Sequence, residues 1–71
     1  MGSVYRVIDV IGTSGTSWED AANDAIATAG GSLRDLRVAE VQKLDVTVGD
    51  DGKIDQFRTR LSLSFKYEKD A

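Results

Sequence analysis

Seventy-one residues hold no cysteine and no histidine, and that double absence constrains the chain more than any motif in it. A chain this short buries only about 60% of its unfolded surface on folding. Domains below roughly 70–80 residues usually need a disulfide, a metal or association to hold them. Without Cys there is neither a disulfide nor a thiolate zinc site. Without His the commonest transition-metal ligand and the usual general base are missing. Two supports remain: docking onto other copies, or a hard ion held by oxygen. The same absences exclude Cys-His and Ser-His-Asp nucleophilic machinery, so the expectation is a protein that is not an enzyme. A net charge of −3 and a pI near 4.7 argue against nucleic acid, which selects clustered Lys and Arg. No apolar run approaches the roughly 20 residues of a membrane span, and the N-terminus shows no signal-peptide core. A cytoplasmic chain with no membrane partner is expected, and the lack of Cys agrees with a reducing compartment.

The whole chain, residues 1–71, reads as one domain. Ser3–Ile11 is rich in Val, Ile and Tyr and reads as a strand. One face carries Val4, Arg6, Ile8 and Val10; the other carries Tyr5, Val7, Asp9 and Ile11. A strand apolar on both faces is buried on both: an internal helix covers one, and another subunit is needed for the other. Gly12 to Ser17 is a turn cluster, in which Gly12 supplies backbone freedom. Ser17 followed by Asp20 resembles a capping box, with Thr16 and Glu19 as an alternative register. Trp18, Ala22, Ala25, Ala29 and Leu33 then recur at helical spacing, flanked by Ala21 and Ile26. This stripe predicts a helix to about Leu33 that approaches a sheet closely, weakened near its end by Gly30 and Gly31. Trp18 reads as core.

Leu36–Val48 reads as a second strand and Lys53–Tyr67 as a third, joined by a hairpin turn at Gly49-Asp50-Asp51-Gly52. The third strand alternates most clearly. Phe57, Thr59, Leu61, Leu63, Phe65 and Tyr67 share one face; Arg58, Arg60, Ser62, Ser64 and Lys66 share the other. The fold class is therefore α+β: a β-α-β-β unit with a three-stranded antiparallel sheet wrapped on one helix. The hairpin pairs strands two and three, and pattern leaves orders 1-3-2 and 2-1-3 open. One helix covers one side of such a sheet. The other side is expected to carry Arg6, Glu40, Arg58 and Arg60 among apolar residues, as a partly buried assembly face. Arg–carboxylate pairs satisfy such charges, and Arg6, Glu40 and Arg60 are assigned to ion pairs within or between subunits.

The string from Val4 to Ser14 resembles the first strand and turn of the dodecin family. The resemblance continues through Ser17-Trp18-Glu19-Asp20-Ala21-Ala22 and Asp24-Ala25-Ile26, then Val38-Ala39-Glu40-Val41 and Phe57 to Phe65. It covers nearly the whole chain in order. It implies a small β-α-β-β subunit that assembles into a hollow homododecamer. Most dodecins store flavin between stacked Trp side chains, with a Gln on the ring edge. Carried over position by position, the stacking Trp is Val38 here, the ring-edge Gln is Arg58, and a polar residue that meets the ribityl chain is matched by Lys43. Val cannot stack. Arg58 has donors only and cannot accept from the flavin N3–H.

A branch of the family that lacks the flavin residues is described as calcium dodecin, and this chain resembles that branch. Calcium takes six to eight oxygen ligands. Asp9, Asp45, Asp50, Asp51 and Asp55 offer them, without EF-hand spacing, so neighbouring subunits or water must complete a site. Asp45, in a strand near the assembly face, is the first choice, while Asp50 and Asp51 serve the turn. The expectation is a non-enzymatic shell that sequesters a cation or small ligand. Flavin storage in an altered pocket and a shell with no ligand are the alternatives. Thr13-Ser14-Gly15 hints at a phosphate cradle but lacks the Walker lysine; capping and turn formation explain it.

Overall fold

The computed structural model of the chain describes residues 2–30 and 36–66. It contains β1 (Tyr5–Ser14), α1 (Trp18–Gly30), β2 (Leu36–Val48) and β3 (Ile54–Lys66). The sheet is antiparallel throughout, in the order β1-β3-β2, so β3 is the spine and both other strands are edges. The β2 range matches the sequence reading. β1 starts later and runs on through Gly12, Thr13 and Ser14, because these residues continue the ladder opposite Thr59, Arg58 and Phe57. The predicted ends at Leu33 and Tyr67 lie outside the described residues.

Ser17 is the N-cap of α1. Its Oγ accepts from the Asp20 amide at 3.0 Å, and its carbonyl accepts from Ala21 at 3.1 Å. This settles the capping register against Thr16. Glu19 and Asp20 occupy the first turn, where the helix dipole favours negative charge. The small residues of α1 let it lie close on β1. A Cβ at Gly12 would collide with the Ala21 carbonyl oxygen and stand 2.9 Å from the Ala25 Cβ. Gly12 is therefore required for space, which corrects its reading as a turn hinge. Among the described residues the glycine in the left-handed region is Gly52, at φ 80°. It sits in the β2–β3 turn, where its amide donates to the Gly49 carbonyl at 2.9 Å and Asp51 Oδ1 accepts from the Lys53 amide at 3.0 Å.

The core lies between α1 and the helix-side face of β3. Leu61, Leu63 and Phe65 are buried there with Ala21 and Ala25, and Ile8, Val10, Ile26 and Leu36 pack at the margin. Thr59 sits among them, its hydroxyl donating to the Trp18 carbonyl at 2.9 Å, so the buried polar group is satisfied. Trp18 itself is 38% exposed, which corrects its assignment to the core. Its ring meets Phe57 edge-on, with centroids 5.0 Å apart, and its Nε1 donates to the Asp45 carbonyl at 3.0 Å. It is a strut from the helix start to β2.

The helix lies over β1 and β3 and scarcely reaches β2. Val41 and Leu44, which share the helix-side face with Leu61 and Thr59, are 54% and 50% exposed. On the opposite face Tyr5, Val7, Ile11 and Val38 are also exposed. The radius of gyration is 14.8 Å, against about 11 Å for a compact domain of this length. The accessible surface is 5169 Å², against about 4,300 Å² for a compact monomer of this mass. The described chain therefore has more surface than a compact monomer and leaves apolar residues uncovered on both sides of its sheet.

Candidate functional site

Residues directly opposed in an antiparallel ladder point to the same side of the sheet. The face away from α1 therefore carries Asp9, Ile11 and Thr13 from β1, Arg58, Arg60, Ser62 and Ser64 from β3, and Val38, Glu40, Lys43 and Asp45 from β2. Arg6 is not among them. Its partner is Phe65, which puts Arg6 on the helix side with its guanidinium carbon 5.6 Å from the centre of the Phe65 ring. Within the chain this is a cation–π contact, and β1's charged residue on the outer face is Asp9. Among the described residues Glu40, opposite Ser62, makes no ion pair. Arg60 does, to Asp9 at 3.3 Å.

The best-defined polar feature joins two residues that the sequence reading kept apart. Arg58 Nε donates to Asp45 Oδ1 at 2.8 Å, and Nη2 donates to Oδ2 at 3.1 Å. This is a bidentate fork between cross-strand partners. The hydrogen bond from Arg58 holds the Asp45 carboxyl below the usual range, helped by the charges of Arg58 and Lys43 and opposed by desolvation. The same bond and the Asp45 charge raise Arg58. Trp18 pins the Asp45 main chain from the other side. Lys43 stands opposite Arg60 on the same face, so like charges face each other beside the fork, at an ordinary cost in a sheet of well under 1 kcal/mol.

Val38 stands apart from this group. It is opposite Ser64, six residues along β3 from Arg58, which is about 20 Å of extended strand. Positions 38 and 58 therefore cannot line one small pocket within one chain. A pocket using both needs a second copy.

Three of the candidate aspartates are engaged within the chain. Asp9 pairs with Arg60, Asp45 with Arg58, and Asp51 with the Lys53 amide. Among the described residues no three acidic groups converge. A carboxylate has about four lone-pair positions and the fork uses two at Asp45, so Asp45 keeps accepting capacity toward the open face. Away from this face, an open groove of about 470 Å³ runs between β1 and α1, lined by Val10, Gly12, Thr13, Asp24, Ala25 and Thr28 among others. Thr13 borders it, while Ser14 Oγ accepts from the Thr16 amide at 2.9 Å. Among the described residues no helix is long and apolar enough to cross a membrane.

One helix on one face of a three-stranded β1-β3-β2 sheet, with polar and apolar side chains left open on the other face, makes this a small α+β protein of β-α-β-β order. Residues 4–68 match the family described as Dodecin, and the chain belongs to that family. It is 53% identical over 64 residues to a calcium dodecin of Mycobacterium tuberculosis, covering 90% of this chain and 89% of the relative. A solved structure of calcium dodecin from that organism, described as calcium-chelating with a novel calcium-binding site, superposes with a TM-score of 0.83 at 49% identity, covering 97% of each chain. A dodecin of Thermus thermophilus is 33% identical over 69 residues, covering 97% of this chain and 99% of the relative. The dodecin of Streptomyces coelicolor gives a TM-score of 0.88 at 31% identity over 96% of each chain.

Proposed function

We propose that this chain is a binding subunit, not an enzyme, that assembles as a homododecameric shell in the cytoplasm and sequesters calcium. The observation that carries the choice of ligand is the side chains at the two flavin positions. Val38 offers no ring to stack on, and the Arg58 guanidinium is committed to Asp45 and has no acceptor. An unpaired buried flavin N–H costs about 1–3 kcal/mol, so these residues do not fit flavin. Asp45 brings carboxylate oxygen to the open face, and oxygen is what calcium selects. One chain supplies too few ligands, so in this reading neighbouring copies and water complete the set. The likeness to a calcium-chelating relative supports the same reading. Assembly is supported by the uncovered apolar faces, and a reducing compartment by the absence of cysteine.

Native mass spectrometry of the purified protein tests this. The expected result is a twelvefold mass carrying calcium that a chelator removes, together with a thermal midpoint that rises on adding calcium. A monomer overturns the shell. A yellow protein carrying flavin overturns the choice of ligand.

A further inference from the structure

We infer that β2 of one copy seats Val41 and Leu44 in the groove between β1 and α1 of the next, in a head-to-tail contact. The inference rests on the assembly reading above and names the two surfaces that meet. The groove takes consecutive residues of β1, Val10 to Thr13, from both faces of the strand, so it lies along the edge that β3 does not pair. Its walls are small residues, Gly12, Ala25 and Ala29, with Asp24 and Thr28 beside them, which leaves depth for side chains from outside. The matching part is on the other edge of the same chain. β2 is that edge. Val41 and Leu44 lie on its helix-side face and stay half exposed, because α1 sits over β1 and β3. Setting β2 of one copy beside β1 of the next, helices on the same side, brings these side chains under the neighbour's α1. Charge agrees: the groove lining has one charged residue, Asp24, and the Val41–Leu44 segment has one of opposite sign, Lys43. Among the described residues neither forms an ion pair. Area agrees as well. The accessible surface exceeds that of a compact monomer by roughly 850 Å², and a standard interface takes about 800 Å² from each partner. The bulge between Val41 and Lys43 interrupts β2 here, so inserted side chains make the contact rather than a long ladder. The two surfaces differ, so each copy both gives and receives, and such a series ends only by closing on itself.

The chain has no cysteine, so introduced pairs report the contact directly. Thr28 lines the groove at the β1 edge and Leu44 lies on β2, two strand spacings of about 4.8 Å away. A disulfide needs Cα atoms within about 7 Å, so T28C and L44C in one chain link different copies only. The experiment oxidises full-length T28C/L44C, T28C, L44C and wild type with copper phenanthroline and reads chain mass under non-reducing, denaturing conditions. A ladder of linked chains is expected from the double variant and none from either single variant. A ladder of equal yield from L44C alone overturns the inference, because the contact then joins two identical surfaces. No ladder from the double variant, while native mass spectrometry shows it assembled like the wild type, overturns it and leaves assembly in place. Where T28C/L44C does not assemble, T28C/V41C carries the same outcomes. In a second arm T28W fills the groove and is expected to lower the assembled fraction read by light scattering. Assembly unchanged in T28W overturns the inference, and a small molecule that the wild type binds and an intact T28W assembly expels shows a ligand in the groove instead. A monomeric wild type overturns this inference and the shell reading together.

Discussion

Arg58 and Asp45 face each other across the β2–β3 ladder, and each carboxylate oxygen accepts from a different guanidinium nitrogen. Solvent screens the pair, so its energy is small, but its sign with pH is definite. The bond from Arg58 lowers the Asp45 pKa in the folded protein. A carboxyl lowered on folding stabilises the fold above its unfolded pKa, about 3.9. That contribution disappears as pH falls through the folded value. The wild type is expected to lose stability over this acid window, and R58Q is expected to lose less there. Urea midpoints between pH 2 and 6 for both proteins check this. Parallel curves would show that the pair contributes nothing.

Gly12 makes a separate prediction about packing. Its missing Cβ is where the Ala21 carbonyl passes, so Gly12→Ala must push α1 off β1. Overpacking usually costs about 1–3 kcal/mol, which is a large share of the stability of so small a domain. A lowered urea midpoint with an unchanged slope is the expected outcome. Gly15 has nothing within 4 Å of its Cβ position, so Gly15→Ala is the control and should change little.

The strands and their faces were legible in the sequence because alternation in β3 is nearly uninterrupted from Phe57 to Phe65. The cap at Ser17 was legible for the same local reason. The Asp45–Arg58 fork was not, because it depends on register. A hairpin counted straight from a turn over residues 49–52 sets Val48 against Lys53, and hence Asp45 against Gln56. The actual ladder begins with Val48 opposite Ile54, one residue beyond that count, and shifts by one more between Thr47 and Val48; together these move Arg58 opposite Asp45. Single-residue bulges of this kind leave no mark in a hydrophobic pattern. Arg6 was misplaced for a related reason: a strand apolar on both sides does not reveal which side meets the helix until its partner is known. Trp18 was read as core because hydrophobic spacing does not show that its ring meets Phe57, where β1 ends.

Val41 and Leu44 provide a test of assembly that leaves the core alone. Both lie on the helix-side face of β2 beyond the reach of α1, half exposed in the single chain. Burying each fully against another copy is expected to contribute about 1 kcal/mol. An aspartate in that contact would be a desolvated, unpaired charge, which costs far more than the lost apolar area. V41D and L44D are therefore expected to shift the population from the assembled shell toward small species, as read by light scattering at micromolar concentration. Assembly equal to wild type in both variants would place the subunit contacts elsewhere.

Positions 38 and 58 lie about 20 Å apart along the sheet, so regaining flavin affinity requires an assembled protein and both substitutions. An aromatic ring at 38 restores about 0.5–1.5 kcal/mol of stacking beyond area burial. An amide at 58 restores an acceptor for the ring-edge N–H, where a missing partner costs about 1–3 kcal/mol. It also releases Asp45 from its fork. The double variant V38W/R58Q is expected to bind riboflavin at least tenfold more tightly than the wild type, with each single variant between them. Quenching of riboflavin fluorescence at micromolar protein measures all four. Because the ring must be sandwiched by side chains from different copies, quenching should disappear when L44D is added to the double variant. Quenching that persists in the dispersed subunit would mean that one chain holds the whole pocket, which the positions of Val38 and Arg58 in the β2–β3 ladder do not allow.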